Sequence, residues 1–285
     1  MKRIRLHLLN MRLIGGDTVF ITPLLPVLGF FLLHGLQDIP WLLVAGLLLI
    51  SVLLTAAIFG LNNVADAELD AHDALKEAMG INPIAMGQLT RNEALIPLLC
   101  CSLLGLGLAA WLSIFPWALL TLTSALLYSL PPVRLKERIG LDLVTHGLVP
   151  LLSMLMGMAA AQANYPLRAA MGIAWVGLLA VKSETTNLIR DYESDLKQGV
   201  KTSVVRLGVR PIWRLRLALL LTAVGMIFFI GWRGTVNPIS AWLIAAVVVL
   251  EIMALFRSGY YLRTQRLLFN LNYAAGGMLL VLLSG

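Results

Sequence analysis

Charged side chains are scarce in this sequence. Only 13% of its 285 residues are Asp, Glu, Lys or Arg, whereas 59% are hydrophobic. The mean hydropathy of +0.85 lies far above that of a soluble domain, and apolar runs long enough to cross a bilayer recur along the whole chain. These values exclude a soluble globular protein and indicate a polytopic membrane protein surrounded by membrane lipid.

Cysteine is rarer still, and segments that would separate domains are missing. Cys100 and Cys101 are adjacent within an apolar run, so we expect them to face lipid or the core. No low-complexity linker interrupts the chain, which predicts a single domain over residues 1–285. No cleavage site of the A-x-A type follows the basic segment MKRIRLHLLNMR, so we expect an uncleaved first span.

The apolar runs predict an all-α bundle of about nine transmembrane helices. The predicted spans are residues 17–36, 40–61, 94–113, 115–130, 141–162, 167–189, 211–232, 237–256 and 268–284. With a cytoplasmic amino terminus, all but three of the 22 Lys and Arg residues fall on the cytoplasmic side. This bias accounts for most of the net charge of +7 without a nucleic-acid partner. It predicts a protein of the cell (inner) membrane with cytoplasmic cap segments near 62–93, 130–140 and 190–210.

Two of the predicted cytoplasmic span ends carry the same pattern of polar side chains. The pattern is Asn62, Asp66 and Asp70 after the second span, and Asn187, Asp191 and Asp195 at the end of the sixth. A spacing of four residues keeps side chains on one face of a helix. Either stripe alone is also compatible with a solvated helix end. Because closely packed carboxylates repel one another beside a bilayer, the repeated pattern favours a divalent cation, and oxygen donors favour Mg²⁺.

Basic side chains lie in the loop YSLPPVRLKERIG (128–140), between the fourth and fifth predicted spans. Arg134 and Lys136 are predicted to bind phosphate oxygens, and Arg138 is a weaker candidate, although the positive-inside rule explains all three equally. Lys182 is isolated inside the sixth span, which makes it a functional candidate or a residue that pairs elsewhere. Arg190 fits a structural role. His72 either contacts a bound substrate or is a solvated residue at a helix end.

The ordered set of motifs resembles the UbiA superfamily of intramembrane prenyltransferases, over nearly the whole chain. Asn62-x-x-x-Asp66-x-x-x-Asp70 is similar to the family's first motif, and NPIAMGQLT (82–90) to the short segment after it. The loop YSLPPVRLKER is similar to the loop between the fourth and fifth helices of many members. The segment NLIRDYESDLKQGVKTSVVRLG (187–208) is similar to the second motif.

The resemblance implies an enzyme that transfers a prenyl group from an isoprenoid diphosphate to a lipophilic acceptor, in a helical bundle around a central cavity. It implies Mg²⁺ held through Asn62, Asp66, Asp70, Asp191 and Asp195, with Asp66 and Asp191 as catalytic residues and Asp191 activating the acceptor. Arg134, Lys136, Tyr128 and Asn187 are the expected substrate-binding residues. The rings of Tyr128 and Phe59 are candidates for stabilising an allylic cation, with packing as the alternative.

The identity of the acceptor stays open at this point. An aromatic or quinone-precursor acceptor is the first expectation, and a carotenoid or other isoprenoid lipid is the alternative, together with acceptor-free cyclisation. A cation- or proton-coupled transporter is the competing class of protein. Transporter sites usually lie near the membrane midplane, whereas these acids lie at span ends on one side, so the pattern favours the enzyme.

Overall fold

Helices account for the regular structure of this chain over the residues that the computed structural model describes, which are 2–14, 22–73, 80, 82–162, 167–232, 246, 249 and 253. In chain order the α-helices are α1 (Lys2–Asn10), α2 (Leu25–His34), α3 (Trp41–Asp70), α4 (Arg91–Trp111), α5 (Phe115–Ser129), α6 (Leu141–Ala160), α7 (Leu167–Gln198), α8 (Ser203–Leu207) and α9 (Val209–Trp232). Short 3₁₀ turns occupy Thr22–Leu24 and Leu135–Glu137. The predicted all-α membrane bundle is confirmed.

The predicted spans agree closely with six of these helices, α3 to α7 and α9. The second span continues without a break to Asp70, and the sixth continues to Gln198, so both polar stripes lie on extensions of membrane helices. Part of the first predicted span, and the spans at 237–256 and 268–284, lie outside the described residues. The short helix α1 was not predicted.

Local sequence signals mark where several of these helices begin. Thr90 and Glu93 form a capping box at the start of α4, in which each side chain bonds the backbone N–H of the other residue. The backbone hydrogen bond from Thr90 lowers the pKa of the Glu93 carboxyl below its ordinary value. Pro116 and Pro26 lie in the first turns of α5 and α2, where a missing N–H costs nothing.

Two glycines allow α2 and α6 to cross in backbone contact. A Cβ placed on Gly157 would lie 1.7 Å from the carbonyl oxygen of Pro26, and one on Gly29 would lie 2.1 Å from that of Met154. Small residues at such crossings are the usual way in which membrane helices approach closely. The crossing places buried Met154 and Met156 in two separate apolar clusters, which join α6 to its neighbours.

The outer surface of the bundle is apolar. Three described helices, α3, α4 and α6, are long and apolar enough to cross a membrane, and α2 with its preceding turn and α5 are shorter apolar helices. Leu42, Ile96 and Leu103 project large side chains outward, with Leu42 78% exposed. Such exposed residues are unfavourable in water and favourable in lipid, so the chain is an integral membrane protein.

Candidate active site

The ends of α3 and α7, which carry the two polar stripes, are joined by a hydrogen bond. The Ser194 hydroxyl of α7 donates a hydrogen bond of 2.8 Å to Oδ2 of Asp73, just after the end of α3. Asp66, Asp70 and Asp73 are all buried, although a helix end in water would expose them. These carboxylates therefore lie inside the protein and do not form a solvated helix end.

The predicted phosphate-binding bases contact the α3 stripe. The Lys136 ammonium bonds both carboxylate oxygens of Asp66 and lies 3.5 Å from Oδ1 of Asn62. Arg134 donates from Nη2 to Oδ1 of Asp66 at 2.9 Å and from Nε to Glu137. The Ser129 hydroxyl donates to Oδ1 of Asn62 at 2.9 Å, which ties α5 to the stripe.

Arg138, the weaker candidate for phosphate binding, lies apart from these carboxylates. Its Nε donates to the backbone carbonyl of Val133 at 3.0 Å, within its own loop, and its side chain is exposed. The structure therefore separates Arg138 from Arg134 and Lys136, which the sequence alone could not do.

Asp70 and the buried Asn63 are held by groups from other segments. Nδ2 of Asn82 donates to Oδ2 of Asp70 at 2.7 Å and to the Asn63 carbonyl at 2.9 Å. Asn63 Nδ2 donates to the Asn10 carbonyl at 2.9 Å, at the end of α1. Asn82, the first residue of the segment NPIAMGQLT, thus contacts the site.

Arg12 packs behind the α3 stripe. Its guanidinium donates to Oδ1 of Asn63 at 3.2 Å and lies over the ring of Phe59, 4.9 Å from the ring centroid. Burial lowers the pKa of Arg12 below its ordinary value, and the charges of Asp70 and Asp66 oppose that shift. Phe59 therefore faces a protein cation in this structure, and the sequence reasoning missed Arg12 as its partner.

On α7, the two predicted carboxylates have different partners. Arg190 donates two hydrogen bonds to Asp191, from Nε to Oδ1 at 2.7 Å and from Nη2 to Oδ2 at 2.8 Å. The Thr202 hydroxyl donates to Oδ2 of Asp195 at 3.2 Å. Thr202 immediately precedes α8, so this hydrogen bond ties the end of α7 to the start of α8.

A buried latch fixes α8 against the start of α6. The backbone N–H and the hydroxyl of Ser203 both donate to the carboxylate of Asp142 at 2.6 Å, and the Gly140 N–H donates to the Ser203 hydroxyl at 2.7 Å. This contact joins two of the predicted cap segments, 130–140 and 190–210. Its partners lie 61 residues apart, so spacing gave no sign of it.

Deeper in the bundle, four side chains form a second polar cluster. Glu184 accepts hydrogen bonds from the Tyr128 hydroxyl at 2.8 Å and from Nδ2 of Asn187 at 3.0 Å, and its Oε2 lies 3.0 Å from Nδ1 of His146. The Tyr128 and His146 rings pack edge to face, with centroids 6.1 Å apart. Sequence reasoning placed Tyr128 and Asn187 at the site and missed His146. A lone histidine within a predicted span was the available signal.

The remaining candidates separate into buried and exposed residues. Lys182 is fully buried inside α7, which excludes snorkelling to the membrane surface. His72 is exposed, and its Nδ1 lies 2.8 Å from the Glu68 carbonyl, as expected for a solvated residue at a helix end. Cys100 is exposed on α4 and Cys101 partly so, in agreement with a lipid- or core-facing position.

The donor set fits a hard cation by its chemistry. Within the described part of the chain, no three His, Cys, Asp or Glu side chains converge as a ready-made metal site. The carboxylates of Asp66 and Asp191 are instead neutralised by Lys136, Arg134 and Arg190. Carboxylate and amide oxygens are the ligands that Mg²⁺ uses together with substrate phosphates. A site completed by a diphosphate is consistent with this arrangement.

Comparison with protein families gives a match over most of the chain. The model of the UbiA prenyltransferase family matches residues 24–274. A 4-hydroxybenzoate octaprenyltransferase from Herminiimonas arsenicoxydans is 25% identical, and the match covers 76% of this chain and 73% of that relative. A lycopene elongase/hydratase from Corynebacterium glutamicum is also 25% identical, over 99% of this chain and 98% of that relative.

Solved structures share the architecture. A UbiA homologue from Archaeoglobus fulgidus, bound to GPP and Mg²⁺, superimposes with a TM-score of 0.71 at 21% identity, covering 97% of this chain and 99% of that protein. This likeness is one of fold and extends over nearly the whole chain.

Proposed function

The chain belongs to the UbiA prenyltransferase family, and from this premise we propose that it transfers a prenyl group from an isoprenoid diphosphate to a lipophilic acceptor where α3 and α7 meet. One observation carries the proposal. The hydrogen bond between Ser194 and Asp73 brings the two acidic helix ends together, so that a single diphosphate can contact both. A solvated pair of helix ends would not need that contact.

The oxygen donors on both helices would hold Mg²⁺ together with the diphosphate. The proposed ligands are Asn62, Asp66 and Asp70 on α3 and Asp191 and Asp195 on α7. When bound, the metal supplies positive charge to the departing diphosphate. The presence of GPP and Mg²⁺ in the A. fulgidus homologue supports this choice of ion and of substrate class.

The basic side chains would bind the diphosphate directly. Lys136 and Arg134 are already beside Asp66, where phosphate oxygens and carboxylate oxygens can share their N–H groups. Asp66 is a proposed catalytic residue because it connects these bases to the metal-binding stripe. Asp191 is the other proposed catalytic residue, and its pairing with Arg190 places a further cation on the α7 side.

Tyr128 and Asn187 would line the path from the diphosphate towards the acceptor. Both side chains contact Glu184, and Tyr128 adjoins Ser129, which bonds Asn62. The allylic carbon would therefore be enclosed by side chains of α3, α5 and α7, away from bulk water.

For the acceptor, we propose an aromatic, quinone-precursor compound as the first candidate. The similarity to a 4-hydroxybenzoate octaprenyltransferase supports it. A carotenoid is the second candidate, because the C. glutamicum lycopene elongase/hydratase aligns with this chain from end to end. We place the site on the cytoplasmic side of the cell membrane, where the positive-inside bias puts both stripes.

The test uses the purified full-length protein with Mg²⁺ and geranyl or geranylgeranyl diphosphate, with 4-hydroxybenzoate and lycopene as alternative acceptors. We expect diphosphate release that depends on the acceptor, and a product whose mass equals acceptor plus prenyl minus one hydrogen. Asp66→Asn should abolish both while leaving the thermal unfolding transition in detergent intact. Release without an acceptor-derived product indicates a cyclase or hydrolase, and no release from any prenyl diphosphate overturns the proposal.

A further inference from the structure

The cluster around Glu184 contains a histidine, His146, to which the proposed function gives no role. Glu184 is nearly enclosed, with 5% of its side chain exposed, whereas 31% of the His146 side chain is exposed. Three groups point at the same carboxylate: the Tyr128 hydroxyl, the Asn187 amide and the His146 ring. A carboxylate held this firmly inside a membrane protein fixes the position of whatever it binds.

We propose that His146 is a catalytic residue that accepts the proton lost by the acceptor during prenyl transfer, and that Glu184 and Tyr128 are positioning residues for it. This assignment rests on the proposed function. It adds a proton acceptor on α6, outside both polar stripes.

The geometry determines which ring nitrogen is available. An ionised Glu184 only accepts hydrogen bonds, so the hydrogen of the neutral ring lies on Nδ1, 3.0 Å from Oε2. Nε2 then carries the lone pair. Among the described residues, the side chains that contact His146 are Glu184, through Nδ1, and Tyr128, through its ring. A histidine oriented by a carboxylate through one nitrogen, with the other free, is the arrangement of a general base.

The position of the cluster suits the acceptor side of the reaction. Glu184 precedes Asp191 by seven residues on α7, which places it about 10 Å further along the helix, towards the membrane interior. The stripes hold the diphosphate end, so the acceptor must approach from the apolar side. His146, near the start of α6, is flanked there by Tyr128 of α5 and Glu184 of α7.

Asp191, the expected activating group, is poorly placed for this step. Both of its carboxylate oxygens accept hydrogen bonds from Arg190. Both oxygens of Asp191 therefore already have a charged partner in this structure. His146 has no cation among its contacts in the described chain, and 31% of its side chain is exposed, so the acceptor can reach its ring.

Prenyl transfer breaks one bond to C1 of the prenyl group and forms another. The C1–O bond of the prenyl diphosphate breaks, and its electron pair leaves with the diphosphate oxygen. A pair of electrons from the acceptor forms the new bond to C1. The proton displaced from the acceptor moves to Nε2 of His146, and the resulting imidazolium is stabilised by the carboxylate of Glu184 before it returns the proton to water.

The experiment measures single turnovers with excess enzyme, Mg²⁺, a prenyl diphosphate and the acceptor that the wild-type protein uses. We expect His146→Gln to slow product formation by about 100-fold or more, while the affinity for prenyl diphosphate changes less than about twofold. Imidazole added to His146→Ala should restore part of the rate. Glu184→Gln should lower kcat, because it disturbs the orientation of the His146 ring together with the hydrogen bonds from Tyr128 and Asn187. His34→Gln, on α2 and stacked on Phe30, is the matched control and should behave as wild type.

Three other results would contradict the assignment of His146, the proposed function, or both. If the wild-type protein transfers the prenyl group and His146→Gln retains more than half of its rate, the assignment of His146 is wrong and the proposed function stands. If His146→Gln loses prenyl diphosphate binding together with activity, and imidazole does not rescue His146→Ala, His146 is structural. If the wild-type protein releases no diphosphate, the proposed function and this assignment both fall.

Discussion

Three buried carboxylates at the end of α3, those of Asp66, Asp70 and Asp73, bond different kinds of partner. Asp66 bonds two cationic side chains, Asp70 bonds the neutral amide of Asn82, and Asp73 bonds the hydroxyl of Ser194. Cationic partners can move from a carboxylate to a phosphate and keep their charge paired, whereas an amide or hydroxyl only positions the oxygen it bonds. Diphosphate binding would therefore rearrange the hydrogen bonds of Asp66.

Lys136→Met tests that rearrangement. We expect the KM for the prenyl diphosphate to rise about tenfold or more, because a hydrogen bond to a charged phosphate is lost. Steady-state kinetics at saturating acceptor would measure it. Arg138→Met is the matched control from the same loop, since its guanidinium bonds the Val133 carbonyl, and its KM should change less than about twofold. Equal effects in the two variants would mean that general positive charge, and not the contact with Asp66, binds the diphosphate.

The two long helices α3 and α7 bring the polar groups together. The crossing of α2 and α6 fixes the packing of the helices behind them. α6 also carries His146 and begins at the Asp142 latch to α8. A displacement of α6 would therefore move His146 and also the Asp142 contact with α8. The tight glycine contact with α2 is one of the contacts that hold α6 in place.

Gly157→Ala should disrupt that crossing. The added Cβ would lie 1.7 Å from the carbonyl oxygen of Pro26, a backbone atom that cannot turn aside, so the helices must separate. We expect a fall of several degrees in the thermal unfolding midpoint in detergent, or loss of the monodisperse peak on size exclusion. Gly107→Ala is the control, since nothing lies within 4 Å of its added Cβ, and its stability should be unchanged or higher by up to about 1 kcal/mol. Similar stability of the two variants would contradict the tight crossing.

Periodicity and charge predicted much of the fold but few of the contacts. The spacing of Asp66 and Asp70 placed both on one face of a helix, and the apolar runs located α3 to α7 and α9 closely. Asn82, Ser194 and His146 were missed as partners because a hydrogen bond between residues far apart in sequence depends on how helices pack. The pairing of Arg190 with Asp191 was missed for another reason: a long guanidinium can bend back to the next residue, against the direction that the helix gives its Cβ.

For the whole molecule, the orientation in the membrane is the main prediction. With Cys100 and Cys101 replaced by serine, a cysteine at Lys201 or at Arg138 should react with a membrane-impermeant thiol reagent only from the cytoplasmic side. A cysteine at Asp38, in the exposed loop between α2 and α3, should react only from the outside. Labelling of positions 201 and 138 from opposite sides would be incompatible with one site shared by α3 and α7.

The length of α3 has a consequence for where the products go. Its 30 residues extend about 45 Å, whereas the hydrocarbon core of a bilayer is roughly 30 Å thick. Its polar end therefore lies at the interface between the bilayer and the aqueous phase. In the proposed transfer, the two products separate into different phases there. Diphosphate dissolves in the aqueous phase and is diluted, while the prenylated lipid diffuses away in the plane of the bilayer. The reverse reaction would need both to meet again at one helix end, so partitioning drives turnover forward.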